Sequence, residues 1–248
     1  MKYLVANFKM NTNKALLKDY LQRIDYSEET QSQVSLILGV SDFYLALYQK
    51  EFEQKHIPIF AQNISEHEKG AFTGQNSIGQ LKELNIPGVI IGHSEQRCFM
   101  DQQSVDQRVK LALKAGLKVI LCVGEDMHVY NQNNSLAFVI NQIKETVNFA
   151  NYKNLMIAYE PIFAIGGSQS ATSQHIDYML KGIKGYFYNC TNFNIPVFYG
   201  GSVNSNNAQE ILKNKVVDGL LIGSSCLDVQ QTNTIINYLK DKNDDSEA

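Results

Sequence analysis

Eight short apolar runs recur along this chain, at residues 3–8, 35–40, 57–62, 88–92, 118–123, 155–159, 196–199 and 217–222. Each is strand-length, and each is a continuous run rather than a polar–apolar alternation, as expected of strands covered on both faces. Helical patterns lie between most of them. Val105, Val109, Ala112 and Leu113 share one helix face, and so do Leu136, Val139, Ile140, Ile143 and Val147. Eight strand–helix units within 248 residues predict an α/β fold of one domain, a closed (β/α)8 barrel over residues 1–240. A doubly wound parallel sheet is the alternative that periodicity leaves open. No linker rich in Pro, Gly or Ser divides the chain, and residues 241–248 read as a polar, acidic tail that frays.

Charge and cysteine usage narrow the function classes. A net charge of −3 without any basic run argues against a nucleic-acid partner. Cys98, Cys122, Cys190 and Cys226 lie far apart, with no spacing suited to a metal. Cys122 and Cys226 sit in apolar surroundings that suit buried free thiols and a reducing compartment. The first residues have too short an apolar run for a secretory signal, and no run is long enough to span a bilayer. The expected location is the cytoplasm, away from membranes.

A barrel puts its functional groups just after the strands, at one rim. The run ends supply Asn7 and Lys9, then His93, Ser94 and Glu95, then Glu125, then Glu160, then Gly200, Gly201 and Ser202, and last Gly223 and Ser224. Glu160 stands out, flanked by Ile157, Ala158, Tyr159, Pro161, Ile162 and Phe163. A carboxylate desolvated there gains strength as a base, although a structural ion pair would also account for it. Ser94-Glu95 reads as a helix start, whose positive potential favours a neutral His93 imidazole able to polarise a carbonyl. Lys9 is either a solvated surface charge or a counter-charge for an anionic intermediate. The small residues after the seventh and eighth runs suit a phosphate; a helix is expected to open near Ser205. Base, electrophile, cation and phosphate nest together suit proton abstraction beside a carbonyl of a small sugar phosphate, and they require neither metal nor organic cofactor.

The stretches Asn7-Phe8-Lys9-Met10-Asn11, Gly70-Ala71-Phe72-Thr73-Gly74, Ile91-Gly92-His93-Ser94-Glu95-Gln96-Arg97, Cys122-Val123-Gly124-Glu125, 158–166, 199–203 and 218–223 occur together and in order. On these motifs the chain resembles the triosephosphate isomerases from end to end. The resemblance implies interconversion of dihydroxyacetone phosphate and D-glyceraldehyde 3-phosphate, a step of glycolysis and gluconeogenesis. It assigns Glu160 as the base and His93 as the neutral electrophile, with Lys9 and Asn7 stabilising the enediolate. Gly166, Ser202, Gly223 and Ser224 would hold the phosphate. Pro161, Ile162, Phe163, Ala164, Ile165, Gly166, Gly167, Ser168 and Gln169 would form a lid, with Ile165 and Leu221 shielding the base from water.

Several positions depart from that pattern. Phe8 and Phe163 stand where the family usually has Trp, and Gly167-Ser168-Gln169 where it usually has Thr-Gly-Lys. In the family the lid indole bonds, when the lid is open, to a Glu that matches Glu125. The family's double glycine after the eighth strand is Gly223-Ser224. The resemblance also implies a homodimer, in which the loop at Thr73 reaches the partner near its Asn11 and Lys9. Gln75 and Gln96 occupy the places of a Glu–Arg pair there, so neither leaves a charge stranded. A catalytically silent sugar-phosphate binder and a different phosphate-binding barrel enzyme are the alternatives, though the base, histidine and lysine are all present.

Overall fold

The structure, a computed structural model, describes residues 1–149, 151–165 and 171–244. Among these residues eight strands pair in parallel and in sequence order: β1 (Lys2–Asn7), β2 (Val34–Val40), β3 (Ile59–Ala61), β4 (Gly88–Ile91), β5 (Lys118–Val123), β6 (Leu155–Tyr159), β7 (Val197–Tyr199) and β8 (Gly219–Ile222). β8 pairs back onto β1, Leu220 opposite Leu4, and closes the barrel. Closure removes both sheet edges and decides against the open doubly wound alternative.

The runs are unbroken because the barrel has two apolar surfaces. Alternate residues fill the lumen: Val5, Ile37, Phe60, Ile90, Ile120, Cys122, Met156, Ala158, Phe198 and Leu221 form one buried cluster. Their neighbours, such as Leu4, Leu36, Val89, Val119 and Ile157, belong to a second cluster, packed against helices. The two-residue period of a strand is present, but both phases are apolar.

Of the two helical faces read from the sequence, the second ends early: helix Ser135–Ile143 carries Leu136, Val139, Ile140 and Ile143, and Val147 falls in the 3-10 turn Thr146–Asn148. Val105, Val109, Ala112 and Leu113 are the buried face of helix Gln102–Lys114, whose N-cap Asp101 accepts from the Ser104 N–H. The helix expected near Ser205 begins later, at Ala208–Leu212. Asn204 Oδ1 accepts from Asn206 N, and Asn207 Oδ1 from Asn204 N, so side chains hold 204–207 in a turn first. The final helix, Val229–Asp244, runs past the boundary drawn at 240; the remainder of the expected tail, 245–248, lies outside the described residues. No helix among the described residues is long and apolar enough to cross a membrane.

Phe198 is fully buried in the lumen, and its ring centroid lies 5.1 Å from that of Tyr3. Phe198→Ala is expected to cost about 3–5 kcal/mol of stability, measured as a lowered denaturant midpoint at unchanged slope.

Candidate active site

Strand parity brings the polar groups to the rim. Met156 and Ala158 face the lumen, so Glu160, two residues on, caps the same column. It is only 2% exposed. Its backbone N–H donates to Val123 O at 2.7 Å, which carries the β5–β6 pairing one residue beyond the strand. No nitrogen or oxygen donor among the described residues reaches either carboxylate oxygen. The Cys122 thiol lies beneath, pushed well above its usual range by burial first and by the Glu160 carboxylate second. Among the described residues Glu160 is therefore a buried carboxylate with no N–H or O–H partner, an arrangement that costs stability.

His93 faces it, with Nε2 3.7 Å from Glu160 Oε2. His93 is the N-cap of the short helix Ser94–Arg97, and its Nδ1 accepts the Glu95 N–H at 3.2 Å. With Nδ1 as an acceptor, Nε2 is the ring nitrogen left to present an N–H to the site.

Lys9 enters from the end of β1 with φ +51°, an uncommon backbone conformation for a side-chain-bearing residue. Asn7 Oδ1 holds the Lys9 N–H at 3.1 Å and also accepts from Gln62 Nε2. The Lys9 ammonium meets Glu95 Oε1 at 2.6 Å. Lys9, His93, Glu95 and Glu160 line a cavity of about 450 Å³, with Asn11, Ile165, Ser202, Leu221, Gly223 and Ser224 on its other walls; Asn7 is buried behind Lys9 and does not line it. Gly200 leaves room for the carboxylate, since a Cβ there would lie 2.8 Å from Glu160 Cγ. No cluster of three or more metal-ligating side chains occurs among the described residues.

The family model described as Triosephosphate isomerase matches residues 2–239. A protein named triosephosphate isomerase from Ureaplasma parvum serovar 3 is 44% identical over 240 residues, covering 97% of this chain and 100% of its own. Proteins of the same name from Mycoplasma mobile and a Synechococcus strain are 34% and 32% identical, over 92% and 95% of this chain and 96% of each of theirs. The chain belongs to the triosephosphate isomerase family. The barrel and the isomerase class expected from its motifs follow.

Of the expected lid, the described part is Pro161 to Ile165, with Ile162–Ala164 in a 3-10 turn; Gly166, Gly167, Ser168 and Gln169 lie outside the described residues. Ser202 donates from both its N–H (3.1 Å) and its hydroxyl (2.6 Å) to Ala164 O. Here the residue expected at the phosphate also ties the β7 loop to the lid segment. Phe163 packs on Tyr130, with ring centroids 4.4 Å apart. Thr73 and Gln75 are exposed on their loop, while Gln96 Nε2 donates to Gln62 O. Two contributors went unread in the sequence, Gln62 and the pairing of Glu95 with Lys9. The first stands at the end of the third apolar run, where the strand-end rule would have found it. The second joins residues 86 apart and has no local signal.

Gly124 is the tightest backbone approach at this rim. A Cβ there would lie 1.9 Å from Glu160 O and 2.6 Å from Glu160 C, both main-chain atoms. Gly124→Ala is expected to cost about 1–3 kcal/mol and to lower kcat at least about tenfold by displacing Glu160, as read from denaturation and steady-state kinetics.

Proposed function

We propose that this chain interconverts dihydroxyacetone phosphate and D-glyceraldehyde 3-phosphate, with Glu160 as the base. The observation that carries this reading is the buried Glu160 carboxylate, without an N–H or O–H partner among the described residues, facing His93 Nε2 at 3.7 Å. In the forward direction Glu160 takes a proton from C1 of the ketone while His93 Nε2–H donates a hydrogen bond to the C2 oxygen. The electron pair of the broken C–H bond becomes the C1–C2 double bond of an enediolate. His93 relays a proton between the two oxygens, and Glu160 returns its proton to C2. A base carboxylate beside a neutral histidine is the division of labour for which triosephosphate isomerases serve as the standard illustration. The Lys9 ammonium opposes the developing negative charge, and the Asn7 amide adds a donor.

Gly223 and Ser224 would meet the phosphate through backbone N–H groups, with Gly166 as a further donor; Ser202 could join them only by releasing Ala164 O, which takes both its N–H and its hydroxyl in this structure. Ile165 and Leu221 line the cavity beside Glu160, and apolar walls there keep water from the enediolate. Glu160→Gln is expected to lower kcat about 10²–10⁴-fold, with KM changed little, in a coupled isomerase assay. Near-normal turnover would overturn the assigned base.

The chain is further proposed to act as a cytoplasmic homodimer, an arrangement supported by its free cysteines and by apolar side chains beside the expected interface residues. Met10 is 97% exposed next to Asn11, and Phe72 is exposed next to Thr73. Both are poor surface residues unless covered. Sedimentation at micromolar concentration should give twice the chain mass of 28.0 kDa. Full activity in a species of single-chain mass would contradict a site completed by the partner.

A further inference from the structure

Glu125 is fully buried, and among the described residues no Lys or Arg pairs with it. Its side-chain donors among the described residues are Tyr159 and, from across the rim, His175. Tyr159 Oη lies 2.9 Å and His175 Nε2 3.0 Å from Glu125 Oε1, and the two donors are 2.9 Å from each other. Each partner belongs to a different part of the Glu160 neighbourhood. Tyr159 immediately precedes Glu160. The Glu125 carbonyl accepts the Ile162 N–H at 2.8 Å, just beyond it. His175 sits in the first turn of helix Ser173–Thr191, the helix that follows the lid segment. Its ring meets Tyr130 edge-on at 4.9 Å, and Tyr130 in turn carries Phe163. One buried residue thus joins the chain on both sides of Glu160 to the helix beyond the lid: the Glu125 carboxylate holds Tyr159 and His175, and its backbone carbonyl holds Ile162.

We propose that His175 is a positioning residue for the base: its Nε2–H donates to Glu125 and so fixes the chain on either side of Glu160. The inference rests on reading Glu160 as the base. A half-buried His at this point has an ordinary alternative role as packing for Tyr130. The two roles differ in what replaces it. Gln can reach Glu125 with an amide N–H but offers no ring, whereas Phe keeps a ring and removes the donor.

His175→Phe is expected to lower kcat about tenfold with KM within about twofold, as for a misplaced base. His175→Gln should recover most of that loss. Relaxation dispersion at the Ile162 and Ala164 amides should report altered exchange in His175→Phe and near-normal exchange in His175→Gln. That readout does not depend on which group is the base, so an active Glu160→Gln would overturn the base without touching it. In the unmutated protein, nitrogen shifts should place the His175 proton on Nε2, a measurement that stands even if His175→Phe does not fold. A proton on Nδ1 alone, unchanged kcat and exchange in His175→Phe, or a His175→Gln as impaired as His175→Phe would each overturn the proposal.

Discussion

The hydrogen bonding of β8 to β1 is the constraint on which the rest of this structure depends. It turns an eight-stranded sheet into a tube with no edge, and because every neighbouring pair is parallel all eight strands run in one direction. A lumen formed that way must be filled by side chains, and here it is filled by one residue in two from each strand. The same closure gathers eight strand ends at one rim. Asn7, His93, Glu125, Glu160, Gly200 and Gly223 are scattered over most of the chain and converge because the strands do. At that rim the lumen column changes from Met156 and Ala158 to Glu160, and the packed core becomes a chemical site.

Much of this was legible in the sequence, for physical reasons. Each apolar run lies within two residues of the strand it becomes at either end, because covered parallel strands need continuous apolar sequence. Glu160 was legible because a carboxylate between Tyr159 and Pro161 has apolar neighbours on both sides. What stayed hidden are contacts between distant rim residues. No local pattern tells Lys9 that it will meet Glu95, or Glu125 that it will meet His175. The late start of the helix at Ala208 had a different cause. Asn204, Asn206 and Asn207 satisfy one another's backbone first, a competition that hydrophobic periodicity cannot register.

The buried polar groups divide into two kinds. The Gln142 amide brackets Gly124, accepting from its N–H at 2.9 Å and donating to its carbonyl at 3.2 Å. Arg97 is spent on Gly92 O, Cys122 O and Gln102 Oε1. Burial pushes the Tyr199 hydroxyl up to about 12, and Tyr159 higher still, so both stay phenols. These groups have their partners and hold the rim rigid. The Glu160 oxygens, and Glu125 Oε2 nearby, have no N–H or O–H partner among the described residues. Stiffness in the surround is what lets an unsatisfied carboxylate persist without relaxing onto a neighbour.

The pair of hydrogen bonds from Ser202 to Ala164 O has a consequence of its own. Two donors on one residue share one acceptor, so any departure of Ala164 from the β7 loop severs both in a single event. Contacts spread over several residues could yield one at a time and permit partial displacements. A shared carbonyl behaves instead like a latch with one catch, either engaged or released, and any movement of this segment acquires a threshold rather than a gradient.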